Sequence, residues 1–192
     1  IFKKMKKLYV VGNRASKSLS PTIFNYWFKK YNIKASYGYL ELTKKNFHKK
    51  IKEVLEKKDT FGLNVTIPFK SKIIKHLGKI DTHAKKIGAV NCVTTKKTIS
   101  GTNTDWTGYY KSLPNIKKTK NKKVVILGYG GASHAIHYVL KKRGFKDILI
   151  FNRSKKKIKY SNKTEYTKTY NDLETHLEGV FLIINTTPIN PI

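Results

Sequence analysis

The sequence predicts an α/β protein, and three observations carry that prediction. Short apolar strands alternate with amphipathic helical segments along most of the 192 residues. Gly, Pro and Asx residues punctuate the joins. Three aliphatic runs in the second half, VVILG, ILIFN and VFLIIN, read as buried strands, VVILG as a parallel strand covered on both faces.

The elements follow in order. KLYVVG (7–12) is a strand ending at Gly12. Ser20-Pro21 reads as a helix N-cap with proline at the first helical position, and the helix runs to about Tyr31 with Ile23, Trp27 and Tyr31 on one face. ASYGYLEL (35–42) is the second strand. Thr43 caps a helix with the apolar stripe Phe47, Ile51, Val54 and Leu55. Residues 61–67 alternate Leu63, Val65 and Ile67 with Asn64 and Thr66, forming a third strand that Pro68 stops. A short helix spans 71–77. Asp81 caps another, closed by Gly88. AVNCVTT and TISGTN form a hairpin across Lys96-Lys97. PNIKKTKNK (114–122) reads as a linker or loop between domains, followed by strand 124–128, a helix from Ala132 to Arg143, and strands 148–152 and 180–185.

Composition narrows the function classes. Hydrophobic residues make up 39% and aromatics 12%, enough for a real core. No apolar run reaches 18 residues, so no transmembrane helix and no membrane partner are expected. The opening IFKKMKKLYVV is too short and too charged for a signal peptide, and residue 1 is not Met, so it need not be the biological start. The lone Cys92 excludes an internal disulfide framework and fits a reducing, cytoplasmic compartment. The net charge of +30 invites a nucleic-acid-binding reading. Against it, only Arg14, Arg143 and Arg153 are arginines, the residue type that reads base edges, and the lysines are spread along the chain. Weak, salt-sensitive attraction to polyanions is expected, without a specific nucleic-acid partner. The six histidines assemble no metal site: His134 and His137 share a helix face, with no carboxylate or third ligand nearby in sequence.

VVILGYGGASHA places Gly128, Gly130 and Gly131 between a strand and a helix, the setting of a dinucleotide fingerprint. Glycine permits a tight turn and close approach of a pyrophosphate, while the helix start offers free N–H groups. Ser133 stands where the third glycine is common. The next strand ends in Asn152, Arg153 and Ser154 rather than in an acid. A carboxylate there would repel a 2′-phosphate, whereas Arg153 can grip one, so NADP(H) is predicted over NAD(H).

Two polar groups lie elsewhere. Ser16, Ser18 and Ser20 precede Pro21, and hydroxyls beside a helix start suit a small carboxylate. Ordinary capping by Ser20 is the alternative. Asn64, Thr66 and Lys70 crowd the end of the third strand, as a site or as the solvated rim of an edge strand. Asp105 sits in GTNTDW before a helix, as its cap or as a partner for Lys70 and a polyol. Asn91 is a third polar residue at a strand edge.

GNRASKSLSP, GLNVTIPFK, IGAVNCV, GTNTDWTG, LGYGGAS, FNRS and NTTP follow one another in the order found in shikimate dehydrogenases, and the chain resembles that family over almost its whole length. The resemblance implies a three-layer α/β substrate domain (1–105) and a Rossmann-like NADP-binding domain (106–192). It implies Ser18 and Ser20 on the substrate carboxylate, and Asn64, Thr66 and Asn91 on its hydroxyls. Asp105 would bind substrate and hold Lys70, which would donate the proton when NADPH reduces 3-dehydroshikimate to shikimate. It implies cofactor contacts from Gly128, Gly130, Gly131, Ala132, Ser133, Asn152, Arg153, Ser154 and Thr187, no metal, and a monomer or homodimer. Quinate/shikimate dehydrogenase activity with NAD or NADP, a catalytically inactive NADP-binding remnant and a basic nucleic-acid module are the competing readings.

The chain departs from the family pattern at Arg14-Ala15, where Pro-Ile is common, at Lys17 for His, at Trp106 for Gly, and at Asn190 for Gly. Trp106 is expected to reshape the pocket. Relatives also continue beyond the NTTP strand, so a fragment or a truncated chain is expected, with poor activity and an unprotected last strand.

Overall fold

The structure, a computed structural model, describes residues 5–158 and 165–189. It divides into two compact units, residues 1–85 with 89–103, and residues 86–88 with 104–192.

In the first unit, strands β1 (Lys6–Gly12), β2 (Ala35–Glu41) and β3 (Thr60–Val65) run parallel, with β1 between the other two. Helices α1 (Ser20–Lys30) and α2 (Phe47–Leu55) make the two crossovers that parallel pairing requires. The sheet continues through β4 (Lys79–Ile80), helix α3 (Thr82–Ile87), β5 (Cys92–Thr94) and β6 (Ser100–Thr102), in the order β2-β1-β3-β5-β6-β4. β5 is antiparallel to β3 and β6, giving the expected hairpin, and β4, which the sequence reading missed, joins β6 in parallel. Asp81 caps α3 as expected, with Oδ1 accepting from the backbone N–H of His83 and Ala84.

Strand alternation sorts this unit into three layers. Val11, Leu63 and Val65 face α2, whose predicted stripe of Phe47, Ile51, Val54 and Leu55 is buried. Val10 and Tyr37 face the other side, against Phe24 and Phe28 of α1. Phe47 and Phe69 stack 4.2 Å apart and are fully buried, an anchor whose truncation at either ring would cost about 3–5 kcal/mol.

α1 differs from expectation in two ways. Ile23, Trp27 and Tyr31 are exposed, at 44%, 46% and 63%, while the neighbouring Phe24–Phe28 stripe packs inward. Two apolar stripes lie side by side on this helix, and the position of Val10 and Tyr37 selects between them. Ser20 is also not the cap: the helix begins at Ser20 with Leu19 before it, and Ser18 Oγ accepts from the Ser20 N–H. Asn46 rather than Thr43 immediately precedes α2, and the two exchange reciprocal side chain–backbone bonds.

The second unit opens with α4 (Asp105–Ser112) and contains β7 (Lys123–Leu127), α5 (Gly131–Lys142), β8 (Ile148–Phe151) and β9 (Val180–Asn185). All three strands are parallel, in the order β8-β7-β9. Val124 and Ile126 are buried against Leu140 and Phe145. Residues 114–122 do not link domains. They form a loop within this unit, where Ile116 packs on the core and Thr119 Oγ1 donates to the Arg143 carbonyl at 3.0 Å. β9 is covered on one face only among the described residues: Leu182 and Ile184 reach the core, whereas Phe181 and Ile183 stand out at 46% and 52% exposure. Lys122 Nζ lies 3.6 Å from the Phe181 ring centre, a cation–π contact that shields part of that face. Asn190 lies outside the described residues.

Candidate active site

Parallel strands gather their loops at the carboxyl edge, where open α/β sheets hold ligands. In the first unit that edge is laced together. Thr66 N–H donates to Val11 O at 2.8 Å, Asn13 N–H to Ile67 O at 3.1 Å, and Val65 N–H to Asn91 O at 2.8 Å. The loop after β1, the turn after β3 and the entry to β5 therefore meet. They enclose a cavity of about 490 Å³ lined by Ser18, Ser20, Asn64, Thr66, Lys70 and Asn91. Asp105, expected with them in a substrate domain of residues 1–105, belongs to the second unit and is not in this lining.

Local chemistry explains each placement. The alternation that buries Leu63 and Val65 turns Asn64 to the α1 face, where Tyr37 Oη donates to Asn64 Oδ1 at 2.6 Å. Lys70 follows the buried Phe69, and its carbonyl accepts from Val90 N–H at 2.8 Å, so the turn carrying the ammonium is fixed on both sides. Ser18 Oγ donates to Ser20 Oγ at 3.1 Å, setting both hydroxyls at the start of α1. Ser16 is turned away: its N–H and hydroxyl donate to the Glu41 carboxylate and hold that group below the usual carboxylate range.

Three contributors escaped the sequence reading. Arg14 and Lys17, which read only as departures from a pattern, line the cavity beside the serines. Their signal was adjacency, two cations flanking hydroxyls in one loop. Tyr37 is the third. It is 4% exposed, and burial pushes its phenol up to about 12, offset by the Ser20 hydroxyl beside it and reinforced by Cys92.

In the second unit, the carboxyl ends of β7, β8 and β9 hold the glycine turn and its neighbours. Gly128 N–H donates to Phe151 O at 2.8 Å, and Thr186 donates to Leu127 O from both N–H and Oγ1. Gly128 has φ +96°, a conformation reserved for glycine. Gly130 is extended, and a β-carbon there would meet nothing within 4 Å among the described residues. Protein packing does not account for that glycine, whereas a closely approaching pyrophosphate does, so the turn fits a dinucleotide. Gly131, Ala132 and Ser133 form the first turn of α5 and offer backbone N–H groups. Ser133, standing where the third fingerprint glycine is common, is fully buried. Its hydroxyl is therefore not presented to a ligand at the turn.

Asn152 and Ser154 are tied by a 2.8 Å bond from Nδ2 to the Ser154 carbonyl, and Arg153 between them is exposed. Thr187 donates from N–H and Oγ1 to Asn185 Oδ1. Asp105 is the first residue of α4, with Thr104 in the cap position. Trp106 sets its ring edge-on to Tyr110 and Tyr138, so within this unit its ring joins α4 to α5.

Known proteins match along both units. Residues 10–93 match the shikimate dehydrogenase substrate binding domain, and residues 111–190 match shikimate / quinate 5-dehydrogenase. A shikimate dehydrogenase (NADP(+)) of Clostridium botulinum is 38% identical over 185 residues, covering 94% of this chain and 70% of that protein. The chain belongs to the shikimate dehydrogenase family. A shikimate dehydrogenase of Thermotoga petrophila is 33% identical over 183 residues, 95% of this chain and 69% of that one. The crystal structure of shikimate dehydrogenase 1 from Peptoclostridium difficile has TM-score 0.83 and 32% identity, over 98% of this chain and 69% of that chain.

Family membership accounts for the α/β fold and for the glycine turn after β7. Among the described residues no helix is long and apolar enough to cross a membrane. No group of three or more His, Cys, Asp or Glu residues able to hold a metal occurs among them either. His137 is packed at 7% exposure, and burial pushes its imidazole down to about 4.

Proposed function

We propose that the first unit binds shikimate and the second binds NADP(H), and that the chain carries the reversible NADPH-dependent reduction of 3-dehydroshikimate to shikimate. The observation that carries this reading is the cavity of the first unit, where two hydroxyls, two carboxamides, a threonine and an ammonium converge with Arg14 and Lys17. Such a lining suits a small carboxylated polyol. The serine hydroxyls, with the two neighbouring cations, take the carboxylate. Asn64, Thr66 and Asn91 take ring hydroxyls, and the catalytic roles go to Lys70 in the first unit and Asp105 in the second.

Bound NADPH supplies the hydride that reduces the ketone carbon. The Lys70 ammonium stabilises the negative charge developing on the ketone oxygen and donates the proton that completes the alcohol. In the reverse direction the Lys70 amine accepts that proton. Gly128, Gly130, Gly131, Ala132 and Ser133 would hold the pyrophosphate, Ser133 through its backbone, with Asn152, Arg153 and Ser154 at the 2′-phosphate and Thr187 as a further cofactor contact. A single free cysteine and a biosynthetic reduction fit a cytoplasmic setting.

The matched family includes quinate dehydrogenases, which gives quinate oxidation a claim as a second reading. The deciding experiment monitors NADPH consumption with 3-dehydroshikimate, with quinate and NAD as counter-tests, alongside calorimetric binding of shikimate and NADP. Shikimate and NADP binding with turnover supports the proposal. Preference for quinate with NAD replaces it with the second reading. Failure to bind either ligand overturns it.

A further inference from the structure

Tyr37 is no cavity wall, yet everything about its placement is specified. Asn25 of α1 grips its backbone on the open edge of β2, Nδ2 donating to Tyr37 O at 2.8 Å and Oδ1 accepting from Tyr37 N–H at 2.9 Å. Its ring stacks on Phe24 with centroids 4.8 Å apart and planes 8° from parallel. Its hydroxyl then reaches across to Asn64 Oδ1 at 2.6 Å. Backbone, ring and hydroxyl are each held by a different partner, so the phenol has little freedom to point elsewhere.

The chemistry of that last bond is selective. A carboxamide has one acceptor end and one donor end, and either can turn toward a ligand. A buried phenol that donates to Oδ1 takes one of its two lone pairs and ties the acceptor end to the protein side of the carboxamide. The donor end, Nδ2, is what Asn64 then offers to the cavity. With Ser18 donating to Ser20, and the Ser20 hydroxyl beside Tyr37, hydroxyls run from the serine loop to the carboxamide.

We propose that Tyr37 is a positioning residue that locks the Asn64 carboxamide with its NH₂ facing the cavity, so that Asn64 recognises a ligand oxygen as a hydrogen-bond donor. This rests on the reading of the cavity as the shikimate site. The ligand oxygen it implies is one that accepts, a hydroxyl whose own proton goes to another partner. Tyr37 thus contributes to affinity without touching the ligand, and its contribution vanishes when Asn64 is removed.

Tyr37→Phe is the test variant, because it deletes one oxygen and keeps the ring on Phe24 and the backbone bonds to Asn25. Two measurements are made on the full chain. Calorimetry gives the shikimate Kd for wild type, Tyr37→Phe, Asn64→Ala and the double variant. Side-chain amide NMR follows the Asn64 NH₂ pair in ligand-free protein. The expected result is about tenfold weaker binding in Tyr37→Phe, less than twofold further loss when Tyr37→Phe is added to Asn64→Ala, and shifted, faster-exchanging Asn64 NH₂ resonances. Equal losses in both backgrounds would assign Tyr37 a general structural role and overturn the proposal, as would unmoved Asn64 resonances. If wild type binds no shikimate, the site reading falls and takes the affinity claim with it, while the NMR comparison still decides whether the lock exists.

Discussion

A β-carbon placed on Gly128 would lie 2.7 Å from Thr186 Oγ1 and 3.2 Å from the Thr187 methyl group. The turn after β7 and the turn after β9 thus meet at a point with room for a hydrogen and nothing larger. Gly128→Ala adds the strain of φ +96° to that overlap, and the expected destabilisation is about 2–3 kcal/mol by urea denaturation. Gly130 separates the other role of glycine, since among the described residues a β-carbon there meets only open space. Gly130→Ala should unfold within about 1 kcal/mol of wild type yet bind NADP(H) at least tenfold more weakly. Unchanged NADP affinity in Gly130→Ala would place the pyrophosphate elsewhere.

Arg153 follows β8 and is exposed, with Asn152 and Ser154 tied beside it, so its substitution should leave the fold intact. A charge-assisted contact to a 2′-phosphate contributes about 1.5–3 kcal/mol, or tenfold to a hundredfold in affinity. Arg153→Ala is therefore expected to weaken NADP(H) binding by at least tenfold while changing NAD(H) binding less than twofold. Fluorescence titration with both cofactors reads the ratio. An equal loss for the two would remove Arg153 from cofactor discrimination.

Some of this molecule was legible before its structure and some was not, for physical reasons that differ by residue. The α2 stripe and the β7 run were plain because one periodicity fits each and both are buried. The α1 stripe was misread because Ile23–Trp27 and Phe24–Phe28 both satisfy helical spacing, and only the sheet beneath chooses. The β9 run reads as a buried strand because an aliphatic run records what can be buried, not what covers it: among the described residues Leu182 and Ile184 reach the core while Phe181 and Ile183 remain exposed. In the cavity, the six polar residues of the first unit were found from short segments. Tyr37 was invisible because its role depends on a bond to Asn64, 27 positions away. Sequence spacing carries no signal for a contact made across strands.

His137 gives a pH dependence whose sign can be worked out. Burial, with Lys141 in second place, lowers its folded pKa from 6.5 to about 4, while Glu165 pulls the other way. Below pH 6.5 the unfolded chain takes up a proton that the folded chain refuses until about pH 4. The contribution is thus fully present above pH 6.5 and is lost as pH falls toward the folded value, at about 1.4 kcal/mol per unit. Between pH 6.5 and 5 the loss should approach 2 kcal/mol in urea titrations. His76 is shifted down as well, by burial and by His48, and adds a background common to all variants. His137→Gln should abolish the difference between its own slope and that background. A His137→Gln slope as steep as wild type would mean that His137 protonates freely in the folded state.

Lys70 carries the chemical step in the proposed mechanism, and its substitution separates chemistry from binding. Phe69 stacked on Phe47, and the Val90 N–H bonded to the Lys70 carbonyl, hold the backbone whatever side chain follows. Lys70→Ala should therefore keep the turn in place. Removing a proton donor from a ketone reduction lowers turnover by about 10²–10⁴-fold. The cavity keeps its serine hydroxyls, its two carboxamides, Arg14 and Lys17, so the shikimate Kd should rise by less than about tenfold. Single-turnover NADPH oxidation with 3-dehydroshikimate measures the first quantity and calorimetry the second. Turnover within a few-fold of wild type at unchanged binding would show that the proton reaches the alkoxide from another group, and Lys70 would then be a binding residue alone.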